Sequence, residues 1–147
     1  MEREPHASNR SSLYALWNAL ALASVLAATA ATAQTLSNVT VVDGDTINVR
    51  GVRWRLMGFD TPETYEARCE REYRLGIAAT VALQRMIAVA KKVEPVTDGR
   101  LDRYGRVLGH LYLDGKEVGA ILIEKRLAVA YDGRGPRRNW CNGALLR

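Results

Sequence analysis

The sequence predicts a mainly β domain of the α+β class, in which five short strands accompany one long helix and one short helix. Three observations predict this class. Segments rich in β-branched residues alternate polar and apolar side chains in both halves of the domain. Between them, residues 70–90 repeat apolar side chains at helical spacing. Asp-Gly pairs and single glycines separate the segments, which is typical of turns.

The first three strands are predicted as a meander. Residues 36–42, LSNVTVV, are rich in β-branched side chains and end at the turn signal Asp43-Gly44. Residues 46–50 and 52–56 alternate polar and apolar side chains on either side of Gly51, which predicts a hairpin. The hairpin offers these apolar side chains to one core: Ile47, Val49, Val52, Trp54 and Leu56.

The rest of the chain predicts two helices and the remaining strands. Residues 70–90 form an amphipathic helix after a proline-containing loop. The later elements are a short strand at 93–96, a polar loop at 97–105, a strand at 107–113, a short helix at 117–125 and an extended segment at 127–131. Five short strands with an inserted helix suit the five-stranded OB-fold barrel, whose open face commonly binds oligonucleotides or oligosaccharides. The fold alone predicts no catalysis.

The N-terminal segment predicts export. Residues 13–33 carry no charged side chain, and Ala31-Thr32-Ala33 before Gln34 matches the small-x-small pattern that a signal peptidase cuts. We therefore expect residues 1–33 to be a signal peptide and residues 34–147 to be a secreted or periplasmic domain. An uncleaved membrane anchor is the alternative, because about 20 apolar residues suffice to span a bilayer.

The charge of the chain points to an anionic partner. The formal net charge is +5 and the sequence pI is about 9.5. Of the 21 basic residues, 17 are Arg, whose planar fork binds phosphate with two hydrogen bonds. A carbohydrate-binding OB domain would be richer in aromatic residues than the 7% found here and need not be basic.

The two cysteines, Cys69 and Cys141, both lie in the part of the chain that is predicted to reach an oxidising compartment. We expect them to form a disulfide, with two free thiols as the alternative. Closing so long a loop would restrict the unfolded chain by about 4 kcal/mol in the chain-entropy model.

Two Asp-Thr pairs, Asp45-Thr46 and Asp60-Thr61, stand in the stretch DGDTINVRGVRWRLMGFDTPET. A hairpin folded about Gly51 brings Asp45 opposite Met57, with Asp60 just beyond. Two close carboxylates repel each other unless a cation lies between them, and a hard divalent cation prefers oxygen ligands. The pattern favours Ca²⁺ bound by both carboxylates, a backbone carbonyl near Thr61 and waters.

Three further residues supply the remaining parts of a phosphoryl-hydrolysis site. Glu63 follows the turn fixed by Pro62 and is a candidate general base for a metal-bound water. Arg55 lies on the hairpin face opposite the core residues, near the carboxylates, and Arg106 begins a later strand. A metal and guanidinium groups stabilise the charge that develops on phosphorus. Taken singly, each motif also has a simpler explanation as a hairpin turn, a helix cap or a surface ion pair.

The pieces VVDGDTINV, VRWRLMGFDTPET, DRYGR and AVAY follow one another within residues 36–131. In this order and at these spacings they resemble the staphylococcal nuclease (thermonuclease) family, and in particular its short secreted bacterial members. The resemblance implies an OB-fold and a Ca²⁺-dependent phosphodiesterase site that acts on DNA and RNA, preferably single-stranded or unpaired, and leaves 3′-phosphate ends.

The resemblance also assigns the metal site. Asp45 and Asp60 correspond to the side-chain metal ligands of the family, and Thr61 to the residue that supplies a carbonyl oxygen. Asp43 matches an acidic residue near the metal that is not a usual direct ligand. Glu63 takes the position of the carboxylate that orients or deprotonates the attacking water.

The basic and aromatic residues are assigned in the same way. Arg55 and Arg106 take the positions of the two arginines on the scissile phosphate. Arg103 and Tyr104 lie where the family contacts a terminal nucleotide phosphate, and Tyr131 lies near the position of a stacking tyrosine. Stacking on an aromatic side chain tolerates any base.

Three features depart from the family pattern. The segment between Thr64 and Cys69 is shorter than the mobile loop of the longer family members, so substrate contacts from that loop are not expected to carry over. Arg126 stands where the family often has Gly, so the end of the second helix is expected to differ. The tail DGRGPRRNWC contains Arg134, Arg137 and Arg138, which either extend a phosphate groove or only solvate the surface. Both explanations are open at the level of sequence.

The sequence therefore predicts a secreted or periplasmic, Ca²⁺-dependent nuclease of low sequence specificity, acting as a monomer with no implied protein partner. The alternative is a non-catalytic OB-fold module that binds nucleic acid through its basic face. A binding module would not need the complete set of five residues: Asp45, Arg55, Asp60, Glu63 and Arg106.

Overall fold

The structure, a computed structural model, describes residues 38–142 of the chain. The predicted signal peptide and its cleavage site lie outside these residues. The described part is mainly β with two helices. Its elements are β1 (Val39–Asp43), β2 (Thr46–Val49), β3 (Val52–Leu56), β4 (Gly58–Asp60), α1 (Glu70–Val89), β5 (Val93–Leu101), β6 (Val107–Leu113), β7 (Lys116–Glu117), α2 (Val118–Glu124) and β8 (Val129–Tyr131).

The strands form two open sheets. The larger has the order β1-β2-β3-β6-β5, with β7 paired to β6, and the smaller pairs β4 with β8. Strands β3 and β6 run parallel, whereas the other neighbours are antiparallel. Within residues 38–142, β1 and β5 are the edges of the larger sheet. The α+β class is thus confirmed, and closure into a five-stranded barrel stays a prediction.

The hairpin of β2 and β3 turns through two residues. Arg50 and Gly51 both have positive φ angles, 52° and 82°, as the tight hairpin turn requires. Because the turn takes two residues rather than one, the N–H of Leu56 donates to the carbonyl of Asp45 at 2.8 Å. The predicted pairing of Asp45 with Met57 was wrong by one residue. Val52 was also wrongly placed in the core, since 49% of its surface is exposed.

Helix α1 lies against the larger sheet and matches the predicted helix to within one residue. Its first turn is capped by Cys69, whose Sγ accepts the N–H of Glu72 at 3.4 Å. One face of the helix is buried at helical spacing, with Ala79, Leu83 and Ile87 in the core. The core that they complete also includes Ile47, Leu56, Phe59, Leu111, Val118 and Leu122. Burial of each such side chain stabilises the fold by roughly 1.5–3 kcal/mol.

Arg126 ends α2 in a left-handed conformation, with φ 59°. Its N–H donates to the carbonyl of Ile123 at 2.9 Å, and the N–H of Leu127 donates to that of Leu122 at 2.9 Å. These two bonds are the Schellman pattern, in which glycine usually occupies the left-handed position. The helix end therefore keeps a glycine-type conformation with Arg in place of Gly.

Two strand predictions need correction. Strand β4 was predicted as loop; its three residues pair with β8, with Asp60 opposite Val129. Strand β5 was predicted to end at 96 but runs to Leu101, with a register shift between Thr97 and Leu101. Strand β4 is too short to show a periodic pattern, and the second half of β5 is polar. Only their pairing with neighbouring strands identifies them. No helix within residues 38–142 is long and apolar enough to cross a membrane.

Candidate active site

Two aspartates that are distant in sequence lie together at one end of the sheets. Asp45 is the second residue of the turn between β1 and β2, and Asp60 is the last residue of β4. Asp45 Oδ2 accepts the backbone N–H of Thr61 at 3.0 Å, which ties the two segments together. Both carboxylates are buried, with residue exposures of 7% and 1%. Gly44 permits this approach, since a Cβ there would lie 2.7 Å from Thr61 Oγ1.

Arg55 lies between the two carboxylates. Its Nη1 is 2.5 Å from Asp45 Oδ2, and its Nη2 is 3.1 Å from Asp60 Oδ1. The same guanidinium donates to the carbonyls of Asp45 and Phe59, both at 3.4 Å. Arg55 was expected to lie near the carboxylates, and these contacts agree with that expectation. It was also expected to lie away from the core, but it is only 8% exposed. Its fork is held in one orientation by these contacts.

Burial is the main influence on two of the acidic side chains. It raises the pKa of Asp60 to about 6, while Arg137 and Arg55 oppose the rise and Asp45 and Glu63 add to it. Burial also raises the pKa of Asp43 to about 6, and the charge of Asp45 adds to this rise. Asp43 Oδ1 accepts the N–H of Asp45 at 3.1 Å. Carboxylates crowded together in this way favour a bound cation.

The donor set fits a hard divalent cation. Asp45 and Asp60 offer carboxylate oxygens from two adjacent segments. Thr61, which is 3% exposed, directly follows Asp60 in the chain. A second group of potential ligand atoms comprises a carboxylate oxygen of Glu72 and the sulfurs of Cys69 and Cys141, all within 4.8 Å of one another. Those sulfurs are bonded to each other, so they are not available as thiolate ligands.

Glu63 contacts a residue of the C-terminal tail. Arg137 Nη1 donates to Glu63 Oε1 in a very short contact, and Arg137 Nε lies 3.4 Å from Asp60 Oδ1. Burial lowers the pKa of Arg137, but the charges of Asp60, Glu63 and Asp45 outweigh it and raise the pKa. From the sequence, Arg137 was one of three tail arginines without an assigned position. Its proximity to the motif residues depends on tertiary structure.

Arg106 is oriented by an aspartate that the sequence analysis did not single out. Asp102 Oδ2 accepts Arg106 Nε at 2.7 Å, and Asp102 Oδ1 accepts the N–H groups of Tyr104 at 2.8 Å and Arg106 at 2.9 Å. The spacing Asp-x-x-x-Arg within DRYGR is the only sequence signal for this role. Arg106 and Glu63 both line a cavity of about 450 Å³.

A larger cavity of about 670 Å³ is lined by both Arg55 and Arg106. We call it the basic groove. Its charged and tyrosine lining residues are Arg55, Arg100, Asp102, Arg103, Tyr104, Arg106, Tyr131, Asp132, Arg134 and Arg137. All three residues predicted to bind nucleic acid, Arg103, Tyr104 and Tyr131, thus lie on the same cavity as two of the predicted catalytic residues.

The two tyrosines of the basic groove, Tyr104 and Tyr131, differ in their contacts. Tyr104 is 67% exposed, and the guanidinium of Arg103 lies 4.8 Å from its ring centre and donates to its hydroxyl at 2.7 Å. The Tyr131 hydroxyl donates to the carbonyl of Gly135 at 3.0 Å, which fixes its ring against the tail. Tyr104 is therefore the more accessible stacking surface.

The tail is fastened to helix α1. Cys69 and Cys141 form a disulfide, as expected, with their Cα atoms 5.9 Å apart. Arg68 Nη2 donates to the carbonyl of Arg138 at 3.0 Å, while the same guanidinium pairs with the buried carboxylate of Glu72 at 3.2 Å. Trp140 is 5% exposed. These contacts position the segment that carries Arg137.

Comparisons with known proteins agree with this geometry. Residues 53–142 match the family model described as "Staphylococcal nuclease homologue". The chain is 35% identical over 101 residues to "Succinoglycan biosynthesis protein ExoI" of Rhizobium meliloti, covering 66% of this chain and 52% of that protein. It is 38% identical over 108 residues to "Endonuclease YncB" of Bacillus subtilis (65% and 49% covered). An "Uncharacterized endonuclease" of Escherichia coli is 36% identical over 99 residues (64% and 59% covered).

The alignments cover only part of each relative. The chain spans about half the length of these three proteins, so their other segments have no counterpart in the alignment. The matched region of this chain nevertheless contains most of the site, from Arg55 and Asp60 through Arg106 to Arg137. On the strength of the family match, together with the arrangement of the carboxylates and arginines, the chain belongs to the staphylococcal nuclease homologue family.

Proposed function

We propose that this protein is a Ca²⁺-dependent phosphodiesterase that hydrolyses DNA and RNA with low sequence specificity. The observation that carries the proposal is the placement of Arg55 between the buried carboxylates of Asp45 and Asp60. Arg55 itself lines the basic groove together with further arginines. Two of the relatives are named endonucleases, which favours the same activity.

The basic groove suits a nucleic-acid strand. Arginine contacts with phosphate position a strand without reading its bases, and exposed aromatic rings stack on any base. Arg103, Tyr104 and Tyr131 all line the groove and can supply such contacts. A groove that contacts bases through stacking binds unpaired strands best, so single-stranded or unpaired DNA and RNA are the proposed substrates.

The metal site is assigned to Asp45, Asp60 and the carbonyl of Thr61, with waters completing the shell. Ca²⁺ bound there would polarise the phosphoryl oxygen and counter the negative charge on the phosphate. The bond from the N–H of Thr61 to Asp45 already holds the segments of the proposed ligands side by side.

Glu63 and the two arginines, Arg55 and Arg106, act on the water and on the phosphate. Glu63 holds the attacking water and accepts its proton as the oxygen approaches phosphorus in line with the leaving 5′-oxygen. Arg55 and Arg106 donate to the non-bridging oxygens, whose charge increases in the transition state. The bond to the 5′-oxygen breaks, that oxygen takes up a proton, and the phosphate stays on the 3′-oxygen. Asp102 and the paired carboxylates hold the two arginines in fixed orientations.

The proposed setting is outside the cytoplasm, with export directed by residues 1–33 and the domain acting as a monomer. The disulfide between Cys69 and Cys141 supports this setting, because such bonds persist in oxidising compartments. An OB-type barrel is the proposed arrangement of the larger sheet. An uncleaved N-terminal anchor would place the same site on a membrane surface.

The test compares the oxidised protein with Glu63→Gln, and with Glu124→Gln as a control on the exposed end of α2. Single-stranded DNA and RNA oligonucleotides are incubated with Ca²⁺ or with chelator. We expect Ca²⁺-dependent cleavage that leaves 3′-phosphate ends and falls by roughly 10²-fold or more in Glu63→Gln only. Tight binding without cleavage by a folded, Ca²⁺-loaded wild type would overturn the proposal and favour the non-catalytic binding module.

A further inference from the structure

Arg137 is a residue of the C-terminal tail that lies inside the proposed active site. It contacts Glu63 and Asp60, the proposed base and one of the proposed metal ligands. It also lines both the basic groove and the cavity that Arg106 shares with Glu63. The side chain is 41% exposed, so one side of the guanidinium faces the carboxylates while the other remains accessible.

The tail holds this position through contacts on both sides of Arg137. Before it, the carbonyl of Gly135 accepts the hydroxyl of Tyr131 at 3.0 Å. After it, the carbonyl of Arg138 accepts Arg68, and Cys141 is bonded to Cys69. The backbone of the segment is thus fixed independently of the Arg137 side chain. A surface arginine that merely solvates the tail would not require this arrangement.

The neighbouring tail arginine is placed differently. The guanidinium of Arg138 lies 5.0 Å from the ring centre of Trp140, where it stacks over a buried aromatic side chain. Arg137 instead faces the carboxylates, so two consecutive arginines have different surroundings. The position of Arg137 is set by the site and not by the basic character of the tail.

A guanidinium and a divalent cation compete for the same carboxylate. Arg137 Nε occupies a position near Asp60 Oδ1, the atom that also accepts from Arg55. A cation bound to Asp60 would repel the positive charge of Arg137 and weaken this contact. The released fork would still lie on the wall of the basic groove, where it can bind a phosphate with two hydrogen bonds.

We propose that Arg137 is a third phosphate-binding arginine of the site, which neutralises Asp60 and Glu63 in the metal-free protein and transfers to a nucleic-acid phosphate when a divalent cation binds. The inference rests on the proposed function for its substrate class. It assigns to the tail a direct role in substrate binding and couples that role to occupancy of the metal site.

The first test measures binding without cleavage. Affinity for a fluorescent single-stranded DNA oligonucleotide is measured in Ca²⁺ for Glu63→Gln and for the same protein with Arg137→Ala, Arg137→Lys or Arg85→Ala added. Arg85 is exposed on α1 and does not line the groove, so it is the matched loss of one positive charge. We expect Kd to rise about tenfold or more for Arg137→Ala, to rise less for Arg137→Lys and to stay within about twofold for Arg85→Ala.

The second test measures the metal alone. Titration calorimetry with Ca²⁺ compares the wild type with Arg137→Ala and Arg85→Ala in the absence of nucleic acid. We expect Arg137→Ala to bind Ca²⁺ several times more tightly, since its competitor is gone, whereas Arg85→Ala remains unchanged. Arg137→Gln, which keeps much of the side-chain volume, replaces Arg137→Ala if the latter does not fold.

The outcomes separate this inference from the proposed nuclease activity. Unchanged Kd for the oligonucleotide together with unchanged Ca²⁺ affinity in folded Arg137→Ala would overturn the role of Arg137, even if the wild type cleaves DNA. Loss of oligonucleotide affinity and tighter Ca²⁺ binding would support it, even if the wild type proved unable to cleave. A lower unfolding temperature without either binding change would identify Arg137 as a structural brace and would also overturn the inference.

Discussion

The carboxylate of Asp102 holds both the backbone and the side chain of Arg106. Its Oδ1 accepts the backbone N–H of Arg106 at 2.9 Å, and its Oδ2 accepts the Nε–H at 2.7 Å. Burial raises the pKa of Asp102, but the hydrogen bonds from Arg106 and Tyr104 outweigh burial and lower it. The carboxylate is therefore ionised across the neutral range. The loop residues between β5 and β6 use this one side chain to aim Arg106 at the groove.

Replacing Asp102 by Ala is expected to release Arg106 from its orientation. We predict that kcat/KM for single-stranded DNA falls about tenfold, because a freely rotating arginine must be ordered in each turnover. Glu70→Ala is the control: it removes the partner of Arg74, an exposed i,i+4 pair outside the groove. Equal kcat/KM in Asp102→Ala and the wild type would show that Arg106 is oriented by the substrate alone.

Asp43 is expected to destabilise the metal-free protein above pH 6. Its pKa is about 6 in the folded state against 3.8 as the ordinary value, so the folded state binds the proton more tightly. The cost of ionising it is absent below about pH 3.8, grows between the two pKa values and is complete above the higher one. Asp43→Asn removes this cost and keeps an acceptor for the N–H of Asp45.

We therefore predict that Asp43→Asn raises the free energy of unfolding in chelator by about 1–2 kcal/mol at pH 7.5, with little change at pH 4. Urea denaturation at the two pH values measures it. Asp98→Asn should show the opposite sign, because hydrogen bonds from the backbone and side chain of Arg100 lower the pKa of Asp98. A stability difference for Asp43→Asn that does not grow with pH would contradict the assignment.

Gly76 lets helix α1 approach the loop that carries Glu63. A Cβ at this position would lie 2.7 Å from the carbonyl oxygen of Glu63 and 2.8 Å from that of Pro62. Ala has the higher helix propensity by about 1 kcal/mol, but two backbone atoms would have to move. We predict that Gly76→Ala lowers both the unfolding temperature and the cleavage rate, whereas Gln84→Ala on the exposed face changes neither. A fully active, more stable Gly76→Ala would show that the loop yields without cost.

The disulfide contributes to stability and to the site. Its loop spans a sequence separation of 72 residues, which corresponds to about 4 kcal/mol in the chain-entropy model. We predict that Cys69→Ser with Cys141→Ser lowers the free energy of unfolding by about this amount and raises KM, because the tail no longer positions Arg137. Chemical reduction of the wild type should reproduce both effects and leave the double variant unchanged. Loss of stability with unchanged KM would show that the tail stays in place without the bond.

The local elements of the fold could be predicted from the sequence wherever one periodic pattern governs several turns or strand residues. Helix α1 is predicted to within one residue because its buried face repeats regularly. Strand β4 was missed because three residues cannot display a period. Its partner β8 is also distant in the sequence, since Asp60 pairs with Val129. The register of the hairpin differed by one residue because Arg50 adopts a positive φ that its side chain does not suggest.

The site was predictable to the extent that it lies within short motifs. Asp45, Asp60 and Arg55 come together because the hairpin and the next strand carry them to the same end of the sheets. Arg137 was not assigned, since its position depends on a tail that is fixed by Cys141 and by the contacts of Arg68. Residues that reach a site only through tertiary contacts leave no spacing signal in the sequence.

The open edge of the larger sheet has a consequence for solubility. An unpaired edge strand can recruit a strand of another molecule, which leads to aggregation. Strand β5, which forms one edge, contains Pro95, which has no N–H to offer to an incoming chain, and it carries the charged side chains of Glu94, Asp98 and Arg100. These residues disfavour the addition of a further strand at this edge.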